Sequence, residues 1–418
     1  MNSCDIAIIG GGPCGSLAAI SALSHDKSNI VKIFEKRKKS GYPPHCSGLI
    51  GIEGLKTLQH CHTIARKTSY NRIRHAKFIS PSGKTIIISR RRSELFVLDR
   101  PRLDSYLAKR AQKLGAILQY QNSVKKIQLT IGSQWKLHYS FQRKLSSQIK
   151  SKIIISAEGH HPKISLQAGL PSPARNWYLP AIQYDLDNVS ISDKEMVELY
   201  FSSKIAPGFF AWMIPLNENQ ARFGLAIHPY LSQGARRYLN YVIKKHPILS
   251  PKLKNGVILN SWGGFVPASG PISRTFSDGF LVVGDAAGQS KATTGGGFNI
   301  GGYCGLIAGR IASESIQRSD YSKKFLKRYQ QLWRSKFEPD LSLMKLFRRA
   351  LSFLRDKTLD DLFDIAIQTD LANSMHKVRD IDLHGFDILK YSLSPKVIIR
   401  GLQHSPDILI SLFHGLLV

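Results

Sequence analysis

The stretch CDIAIIGGGPCGSLAAISAL, residues 4–23, reads as a strand, a glycine turn and a helix, and it decides the fold of the N-terminal region. The glycines of the turn have GxGxxG spacing and are Gly10, Gly12 and Gly15. Glycines at this spacing allow a sharp turn, leave room for a pyrophosphate against the main chain, and let the helix pack close to the sheet. The next apolar stretch, IVKIFE at 30–35, ends in Glu35, about 20 residues past the last glycine, where an acid can bind a ribose. We therefore predict a dinucleotide site in this region.

A second glycine-rich turn follows a strand in FLVVGDAAGQSKATTGGGFNIGG, residues 280–302. Asp285 stands directly after the apolar run, and the glycines Gly295, Gly296 and Gly297 precede a helix of small residues through Ile311. An acid at this position can accept hydrogen bonds from a polyhydroxy chain. The glycines admit the positive end of the helix close to a flat ring, where it would stabilise negative charge. A plain strand, turn and helix with a capping aspartate is the alternative.

The chain is strongly basic, with 59 Lys and Arg against 29 Asp and Glu and a formal net charge of +30 over 418 residues. The basic groups are scattered in short runs such as 36–39, 90–92 and 348–349, and no known nucleic-acid-binding module accompanies them. Attraction to an anionic membrane surface, about 1 kcal/mol per basic residue near the surface, is one explanation of the charge. A generally basic proteome is the other, and we expect no nucleic acid partner.

The cysteines are odd in number and lack CxxC spacing, so neither a disulfide framework nor a metal site is predicted; they are Cys4, Cys14, Cys46, Cys61 and Cys304. The sequence shows no signal-peptide pattern, which favours a reducing cytoplasm. The apolar stretch 408–418 is well short of the roughly 20 residues that a membrane crossing requires. We expect a cytoplasmic protein, with peripheral attachment to the inner face of the cell membrane as an option.

The order of the predicted elements indicates α/β architecture with interleaved domains. The predicted division is a Rossmann-like dinucleotide domain at 1–165 and 275–315 with a short β excursion at 66–98, a β-rich substrate domain at 166–274, and a helical C-terminal region at 316–418. The β-rich part is expected to provide one wall of a pocket. In the helical region Leu343, Leu346 and Phe347 recur at helical spacing, a stripe that is typical of core.

Seven blocks, in the same order, resemble the flavoprotein family of geranylgeranyl reductases, within the wider group that includes para-hydroxybenzoate hydroxylase. The blocks are GGGPCGS at 10–16, FEKR at 34–37, HCSGLI at 45–50, DRPRLD at 99–104, APGFFAWMIP at 206–215, GGFVPASGP at 263–271 and GDAAGQSKATTGGG at 284–297. The archaeal lipid branch is the more similar one, because the chlorophyll branch usually shows CGG where this chain has Cys46, Ser47 and Gly48. The resemblance covers most of the chain and implies a para-hydroxybenzoate hydroxylase-like fold with FAD as cofactor.

The resemblance also implies which residues bind FAD. They are Gly10, Gly12, Cys14 and Gly15 at the pyrophosphate, Glu35 with Lys36 and Val124 on the adenosine side, Asp285 on the ribitol, and Cys46, Ser47, Gly48, Gly295, Gly296, Gly297 and Phe298 around the flavin. Arg100 matches the cofactor-contacting arginine of the family, and its fixed charge suits phosphate or ring carbonyl groups. Val124 and Phe298 are equally compatible with ordinary core. The family usually has Asp-Gly where this chain has Glu158 and Gly159, and we expect the longer glutamate side chain to shift or abolish that family contact.

The substrate motif of the family, PxxYxWxFP, corresponds to Pro207, Phe210, Trp212, Ile214 and Pro215. The tyrosine hydroxyl and one aromatic ring of the motif are therefore missing. Phe210 and Trp212 have equal parity, so a strand would direct both side chains to one face. They suit an apolar wall for an isoprenoid chain, or they are core aromatics.

The resemblance implies an FAD-dependent reductase that saturates double bonds of geranylgeranyl chains on an archaeal-type lipid precursor. An unactivated alkene needs a hydride at one carbon and a proton at the other, and water or Cys46 is the expected proton source. The reductant is open between a nicotinamide nucleotide, a ferredoxin and a deazaflavin, so the expected partners are an isoprenoid lipid and an electron donor. A flavin monooxygenase acting on an aromatic or other small apolar substrate is the nearest alternative, and a basic nucleic-acid-binding protein is a remote one.

Overall fold

The structure is a computed structural model that describes residues 3–44, 46–58, 61–130, 134–141, 144–230, 234–370 and 382–392. The apolar stretch 408–418 lies outside the described residues. Among the helices that are described, none combines the length and the apolar character that a membrane crossing would need.

The strands and helices are numbered in chain order. The strands are β1 (Ser3–Ile9), β2 (Val31–Glu35), β3 (Leu49–Gly51), β4 (Ser69–Ile73), β5 (His75–Ile79), β6 (Thr85–Ser89), β7 (Leu95–Leu98), β8 (Ile117–Tyr120), β9 (Asn122–Leu129), β10 (Trp135–Phe141), β11 (Lys144–Ser156), β12 (Tyr178–Asp187), β13 (Met196–Tyr200), β14 (Ala211–Pro215), β15 (Ala221–Ala226), β16 (Val257–Pro267), β17 (Phe276–Ser277) and β18 (Phe280–Val282). The helices are α1 (Pro13–His25), α2 (Ile52–Lys56), α3 (Cys61–Thr68), α4 (Arg100–Lys113), α5 (Lys163–Gln167), α6 (Ala235–Lys245), α7 (Ser250–Leu253), α8 (Phe298–Arg318), α9 (Lys323–Ser352), α10 (Asp356–Gln368) and α11 (Gly385–Ser392). Two 3-10 turns cover Arg175–Trp177 and Gly284–Ala287.

The first sheet is the predicted α/β sheet. Its parallel strands run in the order β18-β11-β1-β2-β8. Antiparallel pairing adds β10 to β11, β9 to β10, and β17 to β18. Ile6 and Ile8 of β1 pack on α1 and α8, while Ala7 and Ile9 pack in a separate cluster on the other face. This burial on both faces explains why β1 is a continuous apolar run rather than an alternating one. Strand β18, residues 280–282, pairs with β11, so this sheet contains strands from both sequence segments of the predicted discontinuous domain.

The second sheet is the β-rich one, with the strand order β16-β12-β15-β14-β13-β5-β6. All neighbouring pairs are antiparallel except β13 with β5. A third, small sheet, β3-β7-β4, follows the Cys46 segment and lies beside the second sheet. Residues 75–89 therefore belong to the same sheet as residues 178–267.

Helices α1 and α8 pack closely because the facing residues are small. A Cβ at Gly305 or Gly309 would stand 2.5 Å from the Cys14 carbonyl oxygen and 2.1 Å from that of Ala18, respectively. This close approach places the N-termini of both helices at the same edge of the α/β sheet, where ligands bind in open α/β folds.

The predicted apolar stripe on α9 is wrong. Leu346 is 37% exposed, and Leu343 and Phe347 are only half-buried. The buried face of α9 instead contains Leu341, Met344 and Arg348. An arginine on the buried face obscures the hydrophobic period from which the stripe was inferred.

Candidate functional site

The first glycine turn has the geometry of a phosphate-binding turn. The Gly10 amide donates to the Phe34 carbonyl oxygen at 2.9 Å, and Gly12 is the N-cap of α1. A Cβ at Gly12 would meet no atom within 4 Å, so open space lies against the main chain at the positive end of the helix. The residues present therefore fit a pyrophosphate.

Glu35 ends β2 beside this turn and is 8% exposed. Its carboxylate accepts hydrogen bonds from the Gly11 and Arg37 amides, each at 2.8 Å. A buried acceptor held between two main-chain donors is the group expected to face a ribose. Lys36, the next residue, is exposed.

The second glycine turn lies against the β-rich sheet. A Cβ at Gly295 would stand 2.2 Å from the Val266 side chain on β16, and one at Gly297 would stand 3.0 Å from Oδ1 of Asp285. Burial raises the pKa of Asp285, and the positive charge of Arg100 partly opposes that rise. The main-chain oxygen of Asp285 accepts a hydrogen bond from the Tyr178 hydroxyl at 3.1 Å. The turn thus connects the predicted ribitol-binding acid to the wall of the other sheet.

Arg100 lies between several of the predicted flavin residues. Its Nε and Nη2 donate to the two carboxylate oxygens of Asp104, each at 3.2 Å, and its Cζ lies 4.7 Å from the centre of the Phe298 ring. Burial lowers the pKa of Arg100, but Asp104 and the hydrogen-bonded Cys46 side chain outweigh it, so its pKa lies above the usual range. The structure therefore brings Cys46, Arg100 and Phe298 together.

Cys46 belongs to a short loop, Cys46 to Gly48, that leads into β3. The thiol is exposed, and its sulfur accepts the Gly48 amide at 3.4 Å. The Ser47 carbonyl oxygen accepts a 2.8 Å hydrogen bond from Arg222, a residue of β15 in the other sheet. Sequence reasoning missed Arg222, because the contact joins residues that are 175 positions apart and no motif connects them.

Two predicted cofactor residues have side chains in the core. The Cys14 sulfur lies 2.8 Å and 2.9 Å from where a Cβ would stand on Gly284 and Gly301, and burial raises the pKa of this thiol to about 12. The Val124 side chain is 9% exposed and packs near Phe34. The predicted contacts of Cys14 and Val124 with FAD would therefore be made by their main-chain atoms.

Glu158 has a structural role that the sequence did not reveal. Its carboxylate accepts the amides of Lys163, Ile164 and Ser165 at 2.9–3.0 Å, and so caps the N-terminus of α5. Ser156 donates to the same carboxylate at 2.8 Å. The longer side chain is therefore fully engaged within the protein in this structure.

The substrate-motif residues lie on one face of the β-rich sheet and are buried, with Phe210, Trp212 and Ile214 at most 9% exposed, as core aromatics are. We call this set the apolar wall. Phe210, Trp212 and Ile214 pack in one cluster, whereas the alternate residues Ala211 and Met213 face a separate core, so the predicted parity is confirmed. The wall also contains Phe209, whose ring stacks on that of Phe210 at 4.1 Å. The Trp212 indole donates to Gln183 at 3.0 Å and covers Gly224, while Pro207 and Pro215 are buried at the two ends.

A cationic cluster, Lys345, Arg348 and Arg349 of α9, lies next to this wall. Arg348 is 3% exposed, with its Cζ 4.9 Å from the Phe209 ring, and the Cζ of Arg349 lies 5.9 Å from the Trp177 ring. Within the described part of the chain, neither arginine Nε has a hydrogen-bond partner and none of the three cations has an ion pair. Burial lowers the pKa of Arg348 to about 10. The sequence showed residues 348–349 only as one of the scattered basic runs and did not predict that Arg348 would be buried.

Comparisons with known proteins identify the family of the chain and its fold. Residues 178–266 match the family described as geranylgeranyl reductase catalytic domain. The digeranylgeranylglycerophospholipid reductase of Methanocaldococcus jannaschii is 33% identical over 362 residues, 86% of this chain and 89% of that protein. A second reductase of that name, from Methanothermobacter thermautotrophicus, is 32% identical over 366 residues, 86% of this chain and 90% of its own.

Solved structures show the same fold. A geranylgeranyl bacteriochlorophyll reductase-like protein from Thermoplasma acidophilum has a TM-score of 0.81 at 25% identity, covering 99% of this chain and all of that one. The p-nitrophenol 4-monooxygenase of Pseudomonas putida has a TM-score of 0.66 at 14% identity, covering 94% of this chain and 99% of its own, and shows the fold alone. The predicted fold class is confirmed. On the identities and coverage of its relatives, the chain belongs to the geranylgeranyl reductase family.

Proposed function

We propose that this protein is an FAD-dependent reductase that saturates carbon–carbon double bonds in geranylgeranyl chains of an archaeal-type glycerophospholipid precursor. The relatives named digeranylgeranylglycerophospholipid reductase support this substrate class. The observation that carries the proposal is the contact of Gly295 with Val266, because it joins the predicted flavin turn to the apolar wall of the other sheet. A long apolar chain on that wall would end beside the flavin residues.

The proposed FAD site uses the residues that the glycine turns bring to one sheet edge. Gly12 and the N-terminus of α1 would hold the pyrophosphate, Glu35 the adenosine ribose and Asp285 the ribitol. Arg100, the Cys46 loop and Phe298 would lie around the ring. Reduced FAD, when bound there, supplies a hydride equivalent to one carbon of the alkene.

The protein must then provide orientation, exclusion of water and a proton for the second alkene carbon. The wall of Phe210, Trp212 and Ile214 would orient the chain and keep water from it. We infer that the exposed Cys46 thiol, next to Arg100, delivers or relays the proton. The sulfur would regain its proton from solvent after each turnover.

The cationic cluster fits the other end of such a lipid. A phosphate on the glycerol carries negative charge and several acceptor oxygens, and arginine binds these oxygens in fixed geometry. Arg348 and Arg349 have unpartnered donors in the described structure, next to the aromatic end of the wall. We infer that the substrate phosphate binds there while its apolar chains follow the wall.

The proposed substrate resides in membranes, so we also infer peripheral attachment to an anionic bilayer, which the net charge of +30 favours. Sedimentation with vesicles tests this. We expect binding to anionic vesicles that weakens with salt; absence of binding at low salt would contradict attachment. The electron donor is left open between a nicotinamide nucleotide, a ferredoxin and a deazaflavin.

The activity is tested by single-turnover reoxidation. FAD-loaded protein is reduced with dithionite without oxygen and mixed with a digeranylgeranylglycerophospholipid. We expect the absorbance of oxidised flavin to return and the lipid to gain two hydrogens per bond reduced. A flavin that stays reduced with every isoprenoid lipid supplied would refute the reductase function. A hydroxylated product in oxygen, formed from an aromatic substrate, would favour the monooxygenase alternative.

A further inference from the structure

Arg222 is the place where the β-rich sheet meets the Cys46 loop. It is 7% exposed and donates from Nη1 to the carbonyl oxygens of Ser47 at 2.8 Å and Leu98 at 3.2 Å. Its Nε donates to Asp185 on the neighbouring strand β12 at 3.1 Å. The guanidinium therefore joins the second sheet, the loop and the end of β7.

The contact at the loop is close as well as directional. A Cβ at Gly48 would stand 2.7 Å from Nη1 of Arg222, so only glycine lets the guanidinium lie against the loop at this point. The Tyr70 ring also packs against the guanidinium, with its centre 5.1 Å from the Arg222 Cζ. Tyr70 in turn donates to Asp99 at 3.0 Å, so the aromatic cover is itself held in place.

Arg222 also lies on the same sheet face as the apolar wall. It is in register with Ile214 on β14, and Gly224, two residues further along β15, lies under the Trp212 indole. The alternate residues Ala221 and Phe223 face the opposite core. One strand thus carries both the support of the wall and the bridge to the loop.

We propose that Arg222 is a positioning residue that fixes the Cys46 loop relative to the apolar wall, and so sets the distance between the proton donor and the alkene. This inference rests on the proposed function. The planar fork of arginine is required, because a lysine ammonium could keep the charge but could not reach Asp185, Ser47 and Leu98 in the same geometry.

The test compares Arg222→Lys with a matched control, Arg334→Lys. Arg334 of α9 also donates to main-chain oxygens, those of Ser273 at 2.8 Å and Ile272 at 3.4 Å, and lies 3.3 Å from a Glu338 carboxylate oxygen. It shares with Arg222 two main-chain acceptors and a nearby carboxylate, at a place that does not touch the Cys46 loop. It differs in that its side chain is 29% exposed and its Nε has no hydrogen-bond partner among the described residues. Both variants are prepared as FAD-loaded protein and assayed well below their melting temperatures.

For Arg222→Lys we expect kcat with the lipid to fall about tenfold to a hundredfold, the size expected when charge-assisted hydrogen bonds are lost, while KM stays within about twofold. We also expect alkylation of Cys46 by iodoacetamide, followed by peptide mass, to change in rate in this variant alone. Asp185→Asn, which keeps the side-chain shape, should cause a smaller kcat loss of the same kind.

An unchanged kcat in Arg222→Lys, or an equal kcat loss in Arg334→Lys, would overturn the positioning role. Loss of FAD from Arg222→Lys would overturn it too, because Arg222 would then act on cofactor retention. If wild-type protein binds FAD but never reduces the lipid, the proposed function fails. The Cys46 alkylation comparison then still decides whether Arg222 positions the loop, and equal alkylation rates would reject it.

Discussion

Substitution of Gly12 by alanine separates folding from cofactor binding. Gly12 has φ −75° and ψ −175°, which any residue can adopt, and its Cβ would meet no atom within 4 Å. Alanine restricts the unfolded chain, which stabilises by roughly 0.4–1 kcal/mol, but it is a poorer N-cap than glycine by a similar amount. The free energy of unfolding without FAD should therefore change by less than about 1 kcal/mol.

The same methyl group would occupy the space that the pyrophosphate needs. Overpacking of a tight contact costs about 1–3 kcal/mol, which corresponds to a roughly 5-fold to 150-fold rise in Kd. Gly10→Ala is the contrasting variant, because its Cβ would stand 2.2 Å from the Ala157 carbonyl oxygen and its φ is +109°. That variant should lose stability with or without FAD.

The measurements are thermal unfolding of the apoprotein and FAD titration by quenching of flavin fluorescence. We expect Gly12→Ala to unfold at nearly the wild-type temperature and to bind FAD weakly. Wild-type FAD affinity in Gly12→Ala would refute the assignment of this turn to the pyrophosphate. So would a large loss of apoprotein stability, because it would show that the space above Gly12 is not open.

Three further predictions concern single charges and the thiol. Arg348→Met should raise KM for the phospholipid about tenfold or more and leave or increase thermal stability, since it removes a buried cation without an ion pair among the described residues; an unchanged KM would place the phosphate elsewhere. Cys46→Ser should lower the rate of single-turnover reoxidation while FAD affinity stays near wild type, and an unchanged rate would leave water as the proton source. Asp285→Asn should weaken FAD binding. It should also stabilise the apoprotein at neutral pH, because burial raises the folded pKa of Asp285 and the ionised carboxylate therefore opposes folding, a cost that disappears at low pH when the group is protonated. The gain in melting temperature should shrink as the pH falls towards about 4, the unfolded pKa of aspartate, and a gain independent of pH would contradict this cause.

The sequence predicted the parts of the site that depend on local geometry. Glycine spacing, a strand-terminal acid and the parity of Phe210 and Trp212 are properties of a few consecutive residues, and the structure contains the corresponding turns, the buried Glu35 and the one-sided wall. Such patterns follow from the backbone period alone. The fold class could be predicted for the same reason.

The parts that the sequence did not predict depend on long-range packing. Arg222 reaches Ser47 only after two sheets have formed and packed together, and nothing near Arg222 in the sequence marks this. The buried face of α9 was predicted wrongly. Arg348 lies on that face, and the half-buried Leu343 and Phe347 have the spacing that a core stripe would have. Glu158 stands where the family usually has an aspartate, and the sequence suggested only that the family's contact at this position is changed. In the structure its carboxylate accepts hydrogen bonds from the first amides of α5, which follow it in the chain.

Two buried arginines next to the same wall have opposite energetic roles. Arg222 is paired with Asp185 and saturates two carbonyl oxygens, so removing it would leave a buried carboxylate and two acceptors unsatisfied. Arg348 has its charge buried without a carboxylate among the described residues, so its burial costs stability in the ligand-free protein, and the Phe209 ring 4.9 Å away offsets part of that cost. An anion bound at Arg348 would offset the free-energy cost of burying its charge, and this happens only in the complex. We therefore assign the paired arginine to the architecture of the site, and we propose that the unpaired one recognises the ligand.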